Sequence, residues 1–196
     1  VLLIILAVTG FFAAQIPAVR MLSDFADLLP QEHPYIKLHN SIRDTFGGAN
    51  IIVLALEVEQ GTIFTNDTLD RIHRLTQKLD EISNINHNLV TSLTHRNTRK
   101  IWLTPEGAIK STPYYNPIHE PYTEEELEKI KRDVVSSTRV FGLLVSPDLK
   151  SALIKGTLNE GQLDYGKVFD ELQRLRDSEA APGVRIYATG HPVLAG

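Results

Sequence analysis

Apolar residues follow three rhythms along this chain. From Val1 to Ala14 they run almost unbroken, interrupted only by Thr9 and Gly10. Further on they recur at helical spacing, at Tyr35, Leu38, Ile42 and Phe46, then Leu69, Ile72, Leu75, Leu79 and Ile82, then Leu127, Ile130 and Val134, then Tyr165, Val168, Phe169, Leu172 and Leu175. Each such series puts one greasy stripe on a helix. Between them lie short β-type segments: Ile51 to Val58, Leu89 to Thr94, Val140 to Val145 with Ser151 to Ile154, and Val184, Ile186 and Ala188 in alternation. The unbroken run Ile51 to Leu56 fits a strand buried on both faces.

Local signals bound these elements. Pro34 suits the first turn of a helix, and Gly47-Gly48 stops that helix and launches the strand, because glycine enters the left-handed region without a Cβ clash. Thr65-Asn66-Asp67 offers N-capping oxygens to the second helix, where Asp70 and Arg74 form an i,i+4 pair on the wet side. Asn66-Asp67-Thr68 is also a formal glycosylation sequon, for which the cap is the simpler reading. Thr123 and Glu126 form a capping box, with Glu125–Lys129 and Glu128–Arg132 supporting the exposed side of the helix they open. Thr104-Pro105-Glu106-Gly107 predicts the turn of a small hairpin, and Ser146-Pro147-Asp148 that of another.

Strand, helix, strand, an inserted hairpin and helix, hairpin strands, helix, strand: without the insertion at about 95–139 this is βαββαβ, the ferredoxin-like split arrangement. The expected class is α+β, one antiparallel-leaning sheet with helices on one face. Expected boundaries are 1–20, 21–48 (a connecting segment and short helix), 49–190 (the folded domain) and 191–196.

Val1 to Val19 carries no charge. A spanning helix needs about 20 apolar residues. Three readings compete: a signal-peptide core without its basic n-region, a buried helix, or the C-terminal part of a transmembrane helix stopped by Pro17 and Arg20. The last is the leading expectation.

Charge and composition narrow the function. With 20 basic and 24 acidic residues and a net charge of −4, nucleic acid is not an expected partner. No cysteine is present, which removes disulfides, thiolate zinc sites and a thiol nucleophile. The seven histidines occur singly, without H-E-x-x-H or an i,i+4 pair, and no G-x-S-x-G surrounds a serine. Neither an enzyme, a metal site nor a cofactor is expected. Gly47-Gly48 lacks the lysine and the strand-to-helix order of a phosphate loop. Arg96, Arg99 and Lys100 read as a solvated basic cluster.

Pro113, Pro117 and Pro121 punctuate an aromatic segment with Tyr114, Tyr115 and Tyr122. It is either an insertion packed on the domain's flank or a cover over an apolar groove, since tyrosine and tryptophan contact greasy ligands while keeping a polar edge wet. An apolar ligand needs a concave apolar wall, and Phe25, Leu28, Leu29, Trp102, Tyr114 and Tyr115 are the candidates to build it.

Phe25-Ala26-Asp27-Leu28-Leu29-Pro30 with His33-Pro34, then Phe46-Gly47-Gly48 before a strand, follow the apolar N-terminus. Together they resemble the first extracytoplasmic loop of an RND-superfamily transporter, nearest to the MMPL, Patched and hopanoid-exporter branch. Val145-Ser146-Pro147-Asp148 and Tyr187-Ala188-Thr189-Gly190-His191-Pro192-Val193 are similar to later signatures of that loop, the latter just before the second membrane helix. The resemblance implies a βαββαβ porter subdomain in the periplasm or extracytoplasmic space, attached to the inner membrane and to the rest of a transporter chain. It also implies an apolar lipid ligand of hopanoid, sterol or fatty-acyl type, with a periplasmic partner protein or homo-oligomer as further company. A drug or metal efflux subunit and a non-transporting docking domain are the alternatives. The family's proton-coupling acids belong to a later helix than this chain contains.

Overall fold

Ile51–Val58 (β1) is the middle strand of an antiparallel sheet, flanked by Ser151–Thr157 (β4) and Val184–Gly190 (β5) in the order β4-β1-β5. The computed structural model describes residues 2–15, 30, 32–38, 41, 50–119, 121–159, 164–190 and 192–193. The chain divides into two compact units, Val1–Ser41 and Ile42–Gly196.

In β1 the side chains of Ile52, Leu54, Leu56 and Val58 are buried, whereas Val53, Ala55 and Glu57 are half-buried. The expectation of burial on both faces is therefore corrected. Among the described residues helices cover one face only, and the other is shielded sideways by cross-strand neighbours such as Leu153 and Tyr187.

The covering helices are Asn66–Asp80 (α2) and Tyr165–Ser178 (α4). Leu69, Ile72, Leu75 and Leu79 of α2 and Val168, Leu172 and Leu175 of α4 join Ile52, Leu54 and Leu56 in one core. Each stripe is what three-to-four spacing delivers to one helix face. Thr65 caps α2, its hydroxyl accepting from the Thr68 N–H. Asn66 uses its amide differently: it donates to the Tyr122 carbonyl and accepts from the Tyr122 N–H, both at 2.8 Å. That side chain is a tie between segments, which explains the sequon without glycosylation.

Two strand predictions are corrected. Leu89 to Thr94 is a 3-10 turn, His87–Leu89, followed by a single bridge in which Thr91 and Lys155 exchange both backbone bonds, at 2.9 and 2.8 Å. Ser92 and Thr94 turn their hydroxyls to Thr76 on α2, and the Ser92 carbonyl accepts from the His95 N–H in a turn. The ladder cannot continue past that turn. Likewise Val140 to Val145 is a series of turns that meets β4 at the Val145–Ala152 bridge. The bridge at Thr91 still lies beside β4, so the spatial sequence is Thr91, β4, β1, β5. This is the α+β, ferredoxin-like βαββαβ order with its second strand reduced to one residue pair.

The insertion holds a separate two-stranded ribbon, Arg99–Leu103 (β2) and Ile109–Pro113 (β3), and the helix Glu124–Val135 (α3). The ribbon turns at Thr104 to Gly107, where Gly107 has φ +81°. Thr123 and Glu126 complete the capping box of α3. On its exposed side Glu128 pairs with Lys131 at 3.0 Å.

The first unit contains Leu2–Gln15 (α1), an uncharged helix on which Ile4, Leu6 and Phe12 are each about two-thirds exposed. Its 14 residues rise about 21 Å, short of a bilayer core of about 30 Å. Among the described residues no helix is long and apolar enough to cross a membrane. Residues 34–38 are helical, with Ile36 buried and Tyr35 and Leu38 exposed, the reverse of the expected stripe. Ile42, Phe46 and the Gly47-Gly48 stop lie outside the described residues.

Candidate functional site

The side of α2 that faces the insertion carries His73, Thr76, Gln77 and Asp80. Opposite it run Thr94, His95, Arg96 and Arg99, then Pro113, Tyr115, Asn116 and Pro117. Together with Glu81 they line a cleft of about 420 Å³. Buried hydroxyls fix its floor. Thr76 Oγ1 donates to the Ile72 carbonyl at 2.7 Å and lies 2.8 Å from Ser92 Oγ, with Thr94 Oγ1 at 3.4 Å from both. A helix hydroxyl that bonds back to its own turn is fully satisfied here by two neighbours from another segment.

Tyr115 closes one wall. Only 6% exposed, it donates its phenol to Asp70 Oδ1 at 2.5 Å. Burial raises the phenol's pKa above the ordinary tyrosine value, and the Asp70 carboxylate raises it further. Its ring lies 5.2 Å from the His73 ring. The expected Asp70–Arg74 pair is thus replaced: Asp70 serves Tyr115, and Arg74 reaches Glu179 at 2.9 Å.

Both cleft histidines are held below the usual imidazole range. For His73 burial is the chief cause, opposed by a backbone hydrogen bond at Thr94 and by Asp70. For His95 burial again leads, opposed by Asp80 and assisted by Arg96. Both rings are therefore neutral near pH 7, and the exposed side chains of Arg96 and Arg99 lie beside them in the cleft. Asp80 and Glu81 share the cleft with Arg96 and Arg99, so it can hold a polar group by hydrogen bonds. Among the described residues no three His, Asp or Glu side chains converge as a metal would require.

The ribbon leads outward from this cleft. Arg99 and Pro113, its last paired residues, line the cleft. Leu103 and Ile109 pair at the other end, and strand alternation puts Arg99, Ile101 and Leu103 on one face with Ile109, Ser111 and Pro113. Ile101, Leu103 and Ile109 are 57%, 69% and 74% exposed. A polar cleft therefore opens onto an apolar shelf, exposed among the described residues, that extends roughly 13 Å from Arg99 to Leu103.

Of the residues expected to contact a ligand, Phe25, Leu28 and Leu29 lie outside the described residues. Tyr115 lines the cleft. Tyr114 is 7% exposed and belongs to the core cluster, bordering a separate polar cavity near Asp133 and Arg139. Trp102 stands on the other face of the ribbon, opposite Lys110, with Lys100 Nζ 5.8 Å from its ring centre. His73, His95, Arg96 and Arg99 escaped selection because they are separated in sequence and match no ligand spacing. Arg96 and Arg99, read as a solvated cluster, border the cleft.

No family model matches the chain. It is similar to the protein described as "Putative membrane protein MJ1562" from Methanocaldococcus jannaschii, with 25% identity over 200 residues. The match covers 98% of this chain and 47% of that protein, so the chain spans about half the relative's length. The likeness supports a membrane protein and nothing narrower.

Proposed function

We propose that this chain is the extracytoplasmic domain of an RND-type membrane transporter that binds or moves an apolar lipid of hopanoid, sterol or fatty-acyl type. The observation that carries the reading is the cleft that opens onto the apolar shelf. An amphipathic lipid has a polar end and a greasy body, and the two surfaces match them in that order. The polar end sits among Arg96, Arg99 and the neutral rings of His73 and His95, and the body lies along Ile101, Leu103 and Ile109. Burial of apolar area supplies the affinity and the few polar contacts fix the orientation.

Support also comes from the uncharged helix α1, the membrane-protein relative and the RND-like motifs. The folded unit then lies on the periplasmic or extracytoplasmic side of the plasma membrane, and energy coupling resides in membrane helices elsewhere in the transporter. The experiment is lipid mass spectrometry on the full-length protein. Enrichment of one lipid class over an unrelated membrane protein purified in parallel is the expected result, and Leu103→Asp with Ile109→Asp removes it. No enrichment in the parent protein sinks the lipid reading in favour of drug or metal efflux or a docking role.

A further inference from the structure

Ser137, Thr138 and Arg139 follow the C-terminal end of α3 and line a second cavity, of about 360 Å³, together with Arg99, Lys100 and Asp133. Its charged lining is three cations against one carboxylate. Lys100 and Asp133 satisfy each other at 2.6 Å, which leaves the two guanidiniums. Arg99 directs its Nε and Nη2 to the Ser111 hydroxyl and carbonyl, at 2.6 and 3.0 Å. Both acceptors are uncharged, so they orient the guanidinium without neutralising it. Arg139 is exposed and has neither an ion pair nor a hydrogen bond among the described residues.

The backbone adds donors of its own. A helix C-terminus presents carbonyls, which disfavour an anion. Here the carbonyls of Arg132, Asp133 and Val134 already accept, from the Ser136 N–H at 3.0 Å, the Ser136 hydroxyl at 2.9 Å and the Ser137 N–H at 3.0 Å. Beyond them, the N–H groups of Thr138 and Arg139 and the hydroxyls of Ser137 and Thr138 have no partner among the described residues. Successive unpaired N–H groups beside uncompensated positive charge are the makings of an anion site.

We propose that this cavity binds a phosphate group, free or carried on a lipid headgroup. A phosphate monoester brings about −1.5 to −2 of charge near pH 7 and several strong acceptor oxygens, which the two guanidiniums, the two N–H groups and the hydroxyls match. Arginine suits it better than lysine, because the planar fork meets two phosphate oxygens at once. Arg139 is the free fork, and Arg99 brings its charge from the other wall. Arg99 also lines the cleft, so the two cavities share that side chain. Phosphate uptake and lipid enrichment are separate readouts, and either can fail without the other.

The test is calorimetric titration of inorganic phosphate into the full-length protein in phosphatidylcholine nanodiscs. Saturable uptake is expected. Arg139→Gln should weaken it about tenfold, as the loss of one charge-assisted contact implies, and Arg139→Lys should recover part of it. Lys110→Gln, at an exposed cation on the ribbon, should leave it unchanged. Arg139 and Lys110 are both exposed, so thermal melts of these variants should match the parent. Titrating monomeric dibutyryl phosphatidic acid in the same way separates the sources. Tighter uptake than inorganic phosphate, still weakened by Arg139→Gln, assigns the site to a lipid headgroup, and weaker uptake assigns it to the free ion. No saturable uptake of either probe by the parent overturns the proposal. Uptake that Arg139→Gln leaves intact overturns it by placing the phosphate elsewhere, and an equal loss with Lys110→Gln does so by showing a diffuse charge effect.

Discussion

Arg74 on α2 grips Glu179, the residue that ends α4, through its Nη2 at 2.9 Å from Oε2 and its Nε at 3.1 Å from the same oxygen. Lys78 reaches the other oxygen at 2.8 Å, and Arg71 donates to the Glu179 backbone carbonyl at 2.6 Å. A carboxylate at a helix C-terminus opposes the helix dipole, and Glu179 is only 4% exposed. The cations offset both costs, and the result is a polar clasp across the two helices that cover the sheet.

Glu179→Gln tests the clasp. Burial works to raise this carboxyl's pKa, but bonds from Arg74 and Lys78 outweigh it and the net shift is downward. A depressed folded pKa contributes stability above the unfolded value, about 4.3, and that contribution is lost as pH falls through the folded value. The variant should lose about 2 kcal/mol at pH 7, less than the roughly 3–5 of a fully buried pair, since Arg74 and Lys78 are 46% and 40% exposed. Urea melts at pH 7 and pH 3 should show the gap to the parent narrowing in acid.

Tyr115→Phe removes the phenol that serves Asp70. A hydrogen bond to a charged group is worth about 1.5–3 kcal/mol, so a loss of about 1.5 is expected at pH 7. The folded phenol pKa is raised, so this contribution is present below the unfolded value of about 10 and is lost as pH rises beyond it. The difference between variant and parent in thermal melts should shrink in strong alkali.

His73 and His95 should titrate below the free imidazole value of about 6.5, because burial disfavours the charged ring. Their linkage has the sign of a depressed pKa: stability present above about 6.5 is lost as pH falls through the folded values. Ring-proton NMR shifts followed through that range check the order. A normal titration would mean that the cleft is open to water around both rings.

Gly190→Ala should be far worse than Gly61→Ala. A Cβ at 190 would lie 2.0 Å from the Ile51 carbonyl oxygen on a backbone at φ +129°, whereas at 61, with φ +74°, nothing lies within 4 Å. The second substitution should cost about 1 kcal/mol, the left-handed penalty alone. The first should exceed about 3 kcal/mol, combining strain with a forced break in β5 pairing. Hydrogen exchange at Ile52 and Leu54 locates the break.

Trp102→Ala should leave stability within about 0.5 kcal/mol of the parent, because the ring stands on the exposed ribbon. Lipid enrichment should fall less than with Leu103→Asp plus Ile109→Asp, which strike the apolar face. Equal loss from both changes would return Trp102 to the ligand wall.

Much of the framework is legible from spacing, because helix stripes, caps and turns are set by residues a few positions apart. The stripes of α2 and α4, the Thr123–Glu126 box and the Thr104–Gly107 turn all stand where local chemistry puts them. Leu89 to Thr94 and Val140 to Val145 are the exceptions. In the first the Ser92 carbonyl is taken by the His95 N–H in a turn, and in the second the Val140 and Val145 carbonyls accept from Leu144 and Gly142 within the segment, so each meets β4 at a single bridge.

The sequence by itself determined the α+β class, the order of elements and the uncharged N-terminal helix, since those follow from periodicity and from signals within a turn or two. Only the tertiary structure decided that β1 is covered on one side, that Asp70 answers Tyr115 and Arg74 answers Glu179, and that His73, His95, Arg96 and Arg99 border one cleft. Those partnerships join residues tens of positions apart in the chain, and no local pattern encodes a distance that exists only after the insertion folds back against α2.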